Sequence, residues 1–128
     1  MTAEHATPVL AVVPDMIFSS RISAEARALG RKVQFFRKLE ALTAAVNQGE
    51  GKLLLVDLNC PSPDPLEAIK LARAGAPTCE IVAFFSHVQG ELAAHALEAG
   101  ASKVMPRSRF VQQLPELLRF AGRTDGPL

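Results

Sequence analysis

Short apolar runs alternate along this chain with longer stretches that have helical spacing. A run with no polar interruption is typical of a strand in a parallel sheet, because helices cover both faces of such a sheet. The runs predict five strands, at Val9–Val13, Lys32–Phe36, Leu53–Asp57, Ile81–Phe85 and Lys103–Met105.

A helix-like stretch follows each of these runs, and most end at a glycine, which takes the backbone conformation of a helix end. The predicted helices are Phe18–Leu29, Leu39–Asn47, Leu66–Gly75, Glu91–Ala99 and Phe110–Phe120. Pro115 lies inside the last one, where we expect it to kink the helix or to shorten its first turn. Five βα units in series predict an α/β domain with a doubly wound parallel sheet.

The chain has 128 residues, which suits one domain with its own hydrophobic core. We expect that domain to span residues 8–122, with flexible ends at 1–7 and 123–128. The formal net charge of +1 gives no clustered basic excess of the kind that binds nucleic acid. No apolar stretch approaches the roughly 20 residues that cross a membrane. Two cysteines form neither a disulfide framework nor a zinc pattern, so we expect a cytoplasmic protein.

Asp57 closes the third apolar run and stands just before a proline-rich turn. Open α/β sheets bind ligands at the carboxyl ends of their strands, so this position suggests a site. An aspartate at a strand end also commonly caps the turn that follows it. No glycine-rich phosphate loop follows any predicted strand, which counts against nucleotide binding.

The segment from Asp57 to Glu67 reads Asp-Leu-Asn-Cys-Pro-Ser-Pro-Asp-Pro-Leu-Glu. It resembles the loop after the third strand of response-regulator receiver domains. The segment from Ala96 to Ala101, Ala-Leu-Glu-Ala-Gly-Ala, resembles the end of the fourth helix in the same family. The resemblance covers residues 8–122 and implies a flavodoxin-like, five-stranded parallel sheet of strand order 2-1-3-4-5.

The resemblance also implies a chemistry. Receiver domains take phosphate from a histidine kinase onto an aspartate, and Asp57 occupies that position. The acidic pair that helps to hold Mg²⁺ in the family falls here on Val13 and Pro14, whose side chains cannot ligate. Asp15 is the nearest carboxylate, and Asn59 matches a carbonyl ligand, so Asp15, Asp57 and Asn59 are the candidate metal ligands. We expect no cofactor beyond weakly bound Mg²⁺, because this ion requires several oxygen donors in a regular arrangement.

The two positions that contact phosphate in the family also differ. Spacing puts Phe85 at the hydroxyl position, whereas chemistry favours Ser86. The lysine position falls on Arg107, which keeps the positive charge with a different reach and geometry. In the absence of a metal, Arg107 is also expected to pair with Asp57 across the crevice as a structural ion pair.

These departures favour a degenerate, stand-alone receiver-like module of the two-component or phosphorelay type. We expect it to act by protein–protein contact and not as an enzyme, with a histidine kinase or a downstream signalling protein as partner. The resemblance implies a contact face, and a homodimer interface, on the fourth helix, fifth strand and last helix. Two alternatives stay open. One is a conventional regulator phosphorylated on Asp57 with Mg²⁺, and the other is a small anionic-ligand-binding module around Asp57, Ser86 and Arg107.

Overall fold

The computed structural model describes residues 8–49, 51–87 and 90–121. In this part of the chain five strands alternate with five helices. The strands are β1 (Val9–Val12), β2 (Val33–Phe35), β3 (Leu53–Asp57), β4 (Glu80–Phe85) and β5 (Lys103–Pro106). The helices are α1 (Met16–Ala28), α2 (Leu39–Asn47), α3 (Pro65–Gly75), α4 (Leu92–Ala99) and α5 (Arg107–Ala121).

The strands form one parallel sheet in the order β2-β1-β3-β4-β5. The predicted fold class, an α/β flavodoxin-like domain with this strand order, is therefore confirmed. The chain builds outward in one direction from β1 to β2 and in the other from β3 to β5. Val12 of β1 pairs with Val56 of β3, so the loops after these strands leave the sheet side by side at the switch point.

The predicted ends, 1–7 and 123–128, lie outside the described residues. Within the described ranges, no helix has both the length and the apolar character needed to cross a bilayer.

The core lies on both faces of the sheet, which explains why the central strands β1 and β3 are apolar over almost their whole length. Successive strand residues point to opposite faces. Leu54 and Val56 of β3 pack with residues of α2, α3 and α4 on one face. Leu53 and Leu55 pack with residues of α1 and α5 on the other.

Three phenylalanines join α1, β4 and α5 on this second face. The ring centroids of Phe84 and Phe110 lie 4.4 Å apart, and those of Phe18 and Phe84 lie 5.2 Å apart in an edge-on arrangement. The contact of Phe18 with Phe110, at 5.9 Å, closes the cluster. Offset and edge-on pairs of this kind are favourable, so they fix the start of α1 against the start of α5.

Helix α5 differs most from its prediction. It begins at Arg107, directly after β5 and three residues before the predicted start, and it runs through Pro115. The expected shortening of its first turn is therefore wrong. Leu114 and Leu117, on either side of Pro115, are buried in the core. Tertiary packing of this kind outweighs the local preference of a proline to end a helix.

Arg73 of α3 connects the segments that precede β4 and β5. Its Nε and Nη2 donate to the carbonyl oxygen of Gly100 at 3.0 and 2.8 Å. Its Nη1 donates to the carbonyl oxygens of Pro77 and Cys79 at 2.7 and 2.8 Å. Nη2 also lies 3.2 Å from Oγ of Ser102. The planar guanidinium thus satisfies carbonyl groups from two separate segments of backbone.

Candidate functional site

A cleft of about 700 Å³ lies at the carboxyl ends of β1, β3 and β4. Asp57, Asn59 and Ser86 line it from the loops after β3 and β4, and Arg107 lines it from the first position of α5. Residues from the start of α1 complete the lining, with Asp15 among them. The structure therefore brings together at one place all of the site residues predicted from the sequence.

Asp57, at the end of β3, is the acidic residue buried in this cleft. Its exposed fraction is 8%, and its Oδ1 accepts a hydrogen bond from the backbone nitrogen of Asn59 at 2.9 Å. Burial raises the pKa of Asp57, and the negative charge of Asp15 acts in the same direction. The hydrogen bond from Asn59 and the charge of Arg107 lower this pKa in part. The cleft therefore disfavours the charged form of Asp57 unless a further cation or donor arrives.

Asn59 links the loop after β3 to the loop after β4. Its Oδ1 accepts hydrogen bonds from the backbone nitrogens of Ser86 at 2.6 Å and His87 at 3.1 Å. Its Nδ2 lies 3.5 Å from the carbonyl oxygen of His87. The side chain of Asn59 is thus engaged in holding the second loop in place.

The structure also shows which residue places its side chain in the cleft after β4. Phe85, the last residue of β4, is half-buried and packs against the core on the α2, α3 and α4 side. Ser86 is exposed and lines the cleft. Since neighbouring residues of an extended segment point to opposite sides, only one of the two can do so, and the hydroxyl-bearing residue does.

Asp15 caps helix α1. Its Oδ1 accepts a hydrogen bond from the backbone nitrogen of Phe18 at 3.0 Å, and its Oδ2 lies 3.5 Å from Nη2 of Arg107. The pKa of Asp15 is lowered, chiefly by the hydrogen bond from Phe18 and to a smaller extent by Arg107. Both oxygens of this carboxylate therefore already interact with groups of the protein.

Arg107 lies over the ring of Phe18, with Cζ 3.9 Å from the ring centroid. A guanidinium in this position is attracted to the aromatic face. The predicted ion pair with Asp57 is wrong, because Phe18 and Asp15 draw the guanidinium toward α1, and Asp15 is its ion-pair partner among the described residues. The Nε atom of Arg107 is buried and has no hydrogen-bond partner within that part of the chain.

The three predicted metal ligands do not fit Mg²⁺ in this arrangement. Mg²⁺ requires near-octahedral oxygen donors and loses its waters reluctantly. Asp15, one of the two candidate carboxylates, already caps a helix and faces a guanidinium, which leaves Asp57 and the backbone carbonyl group of Asn59 as the remaining candidate donors. Residues 8–49, 51–87 and 90–121 contain no group of three or more His, Cys, Asp or Glu side chains suited to a metal ion.

Cys60 follows in the same loop and is buried. Its Sγ donates to the carbonyl oxygen of Pro63 at 3.1 Å. Burial raises the pKa of the Cys60 thiol to about 11. Because the thiolate is the reactive form, this residue is not a nucleophile at neutral pH.

Sequence reasoning missed the apolar rim of the cleft. Met16 and Ile17 were predicted to lie in a loop, since the first helix was predicted to begin at Phe18. They form the first turn of α1 and are 72% and 85% exposed. The signal that could have placed them is Asp15 itself, because an aspartate just before an apolar stretch is a typical helix N-cap.

No family model matches the chain, and a search of curated proteins finds no match either. Solved structures do resemble it. A CheY-like response-regulator receiver domain protein from Methanospirillum hungatei JF-1 is 17% identical with a TM-score of 0.73, and the match covers 90% of this chain and 95% of that one. The beryllofluoride-activated NtrC4 receiver domain, solved as a dimer, is 17% identical with a TM-score of 0.71, covering 89% and 98%.

A further similar structure is the receiver domain of a sensor histidine kinase from Pseudomonas aeruginosa PAO1, which has a magnesium ion coordinated in its active-site cleft. It is 20% identical with a TM-score of 0.70, and the match covers 89% of this chain and 98% of that domain. The cleft described above lies at the carboxyl ends of the strands, where doubly wound sheets bind their ligands. The chain thus has the fold of response-regulator receiver domains.

Proposed function

We propose that this chain is a receiver-like signalling module that acts by protein–protein contact and is not efficiently phosphorylated on Asp57. The receiver fold supports the signalling role. The observation that carries the second part is the engagement of Asp15, whose oxygens bind the start of α1 and face Arg107. A metal ion normally offsets the repulsion between a carboxylate and an incoming phosphoryl group. In this cleft the guanidinium of Arg107 lies next to Asp15, the carboxylate that a metal ion would need as a ligand.

The proposed partner is a histidine kinase or a downstream signalling protein. The α4, β5 and α5 face supports this role, since β5 is an edge strand of the sheet and Leu97 and Phe120 are 51% and 41% exposed. Homodimerisation through this face is part of the proposal. Light scattering across the micromolar range tests it, with Leu97→Ser as the variant expected to weaken the dimer. A mass that stays monomeric throughout contradicts it.

Phosphorylation is tested with acetyl phosphate, or with beryllofluoride, in the presence of Mg²⁺. We expect no Mg²⁺-dependent mass increase of the intact protein and no change in its NMR spectrum. The matched variant is Pro14→Asp with Arg107→Lys, which adds a carboxylate beside Asp15 and replaces the guanidinium. We expect this double variant to show the Mg²⁺-dependent mass increase and the NMR changes. Its Asp57→Asn derivative should show neither.

The rival reading is a conventional single-domain regulator phosphorylated on Asp57 with bound Mg²⁺. A response of the unmodified protein that is lost in Asp57→Asn would establish that rival. Binding of a small anion is disfavoured, because Asp15 and Asp57 both place negative charge in the cleft against the one positive charge of Arg107. The proposal also includes a cytoplasmic location and no enzymatic activity of the chain itself, as the sequence led us to expect.

A further inference from the structure

Asp57 is more than nine-tenths buried, yet the described residues supply a hydrogen-bond donor to only one of its carboxylate oxygens. Oδ1 accepts from the backbone nitrogen of Asn59. No described residue donates to Oδ2, and the carboxylate lines the cleft. A buried carboxylate is stable in its charged form only with an opposite charge or several donors nearby. Oδ2 is therefore open to a further donor.

The charges around the cleft favour a positively charged donor. Arg107 and Asp15 form an ion pair with each other, and Arg107 also stacks on Phe18. This leaves the carboxylate of Asp57 as the excess charge among the aspartate and arginine side chains that line the cleft. An incoming anion would meet that excess charge, whereas an incoming cation would neutralise it.

The rim of the cleft is apolar. Met16 and Ile17 are adjacent, largely exposed and part of the lining. Pro14 and Pro61 add further apolar surface to the same cleft. A group that fits this combination has an apolar stem and a positively charged end. Lysine and arginine side chains have this composition, since their methylene stems pack on apolar surface while the charged ends form hydrogen bonds.

We propose that the cleft is the docking site for a lysine or arginine side chain of the partner protein. Its charged end donates to Oδ2 of Asp57, and apolar residues beside it pack on Met16 and Ile17. This inference rests on the proposed function, because it adds to the α4, β5 and α5 face a second contact with the partner protein, at the cleft. The partner's cation supplies the opposite charge that Asp57 lacks, and its release leaves the carboxylate without that partner.

The test uses n-butylammonium and n-butylguanidinium as probes, titrated into the full chain and followed by NMR. We expect saturable changes at the backbone amides of Asn59 and Ser86 and at the methyl groups of Met16 and Ile17. The Asp57→Asn variant keeps an acceptor for the Asn59 amide but removes the charge. Because a hydrogen bond to a charged group is worth about 1.5–3 kcal/mol, binding should weaken by about tenfold or more in that variant.

Matched variants and an uncharged probe distinguish the contribution of the Asp57 charge from that of the apolar rim. Glu98→Gln removes an exposed carboxylate on α4, outside the cleft lining, and should leave probe binding unchanged. n-Butanol, which has the same stem without the charge, should produce no saturable change at Asn59. Ile17→Ser should reduce the preference for n-butylammonium over methylammonium, whereas Leu97→Ser, which removes an exposed apolar side chain on α4, should not.

The inference is overturned if neither probe binds, if binding is unchanged in Asp57→Asn, or if phosphate produces the changes at Asn59 instead. The beryllofluoride measurement on the same sample keeps the two proposals distinguishable. No response to beryllofluoride and no probe binding would remove the docking inference alone. A beryllofluoride response at Asp57 would remove the proposed function, whatever the probes do.

Discussion

Oδ1 of Asn59 lies 2.6 Å from the backbone nitrogen of Ser86, and the backbone nitrogen of Asn59 donates to Asp57. One residue thus connects the buried carboxylate to the loop after β4. A change that moves Asp57 or withdraws its Oδ1 acts directly on Asn59. The loop that carries Ser86 and His87 is therefore coupled to Asp57 through this one residue.

Replacing Asn59 by alanine should loosen that loop. The variant loses the acceptor for two backbone N–H groups, those of Ser86 and His87. We expect the free energy of unfolding to fall by about 1 kcal/mol, the typical net value of such hydrogen bonds in a partly exposed site. Hydrogen exchange at the two amides should speed up more than at the amides of β3.

The matched variant for this prediction is Asn59→Asp, which keeps a side-chain oxygen in the same place. It should retain the slow exchange of the Ser86 and His87 amides. Equal exchange rates in the alanine and aspartate variants would show that the side-chain acceptor does not order the loop.

The raised pKa of Asp57 predicts a pH-dependent stability. A group whose pKa is higher in the folded than in the unfolded state stabilises the fold below the unfolded value, and this contribution is lost as the pH rises through the folded value. Asp57→Asn removes the titration and keeps the acceptor for Asn59. We therefore expect the variant to be more stable than the parent at neutral pH, with the gain shrinking as the pH falls toward 3.8.

Urea unfolding at a series of pH values measures this effect, with Asp15→Asn as the control of opposite sign. The pKa of Asp15 is lowered by the hydrogen bond from Phe18 and by Arg107. Its contribution to stability is present above the unfolded pKa and is lost as the pH falls through the folded one. The Asp15→Asn variant should be less stable than the parent at neutral pH and should approach it in acid. A pH-independent difference in both variants would contradict the assigned shifts.

Removing Arg107 should change the titration of both carboxylates. The positive charge of Arg107 lowers the pKa of Asp57 and that of Asp15. In Arg107→Ala we expect both pKa values to rise, and carboxyl carbon chemical shifts in an NMR titration report each one. Arg109→Ala, which removes an exposed arginine two positions further along α5, should leave both unchanged. Equal shifts in the two variants would mean that only the overall charge matters.

Arg73→Lys should destabilise the fold well beyond a surface substitution. A lysine has one nitrogen, which cannot reach the carbonyl groups of Gly100, Pro77 and Cys79 together. We expect a loss of about 2 kcal/mol, because the partly buried hydrogen bonds to the carbonyl groups of Gly100 and Cys79 cannot both be kept. Arg119→Lys removes a guanidinium that pairs with Glu116 on the surface, and should cost less than about 0.5 kcal/mol. Chemical denaturation of the two variants compares them directly, and similar losses would contradict the role given to Arg73.

Much of the fold could be predicted because burial on both faces makes the strands continuous apolar runs. The bounds of α2 and β3 were predicted as the structure has them, and Asp57 could be placed at a cleft because it ends a predicted strand of a parallel sheet. The ion-pair partner of Arg107 could not be predicted from the sequence. Its position depends on the Phe18 ring and on the cap of α1, which are distant in sequence and meet only after the aromatic cluster has packed. The pattern of residues predicts the backbone position of a side chain, whereas tertiary contacts determine its orientation.

The direct junction between β5 and α5 sets the rotation of α5 about its axis, and so positions its cleft residue and its core residues together. Pro106 ends the strand and Arg107 begins the helix, with no spacer between them. Inserting one residue there would rotate α5 by about 100° relative to the strand. Phe110 and Leu114 would turn away from the sheet as the guanidinium left the Phe18 ring. A substitution at position 107 therefore leaves the core in place, whereas an insertion or deletion at this junction would also disrupt the packing of α5 on the sheet.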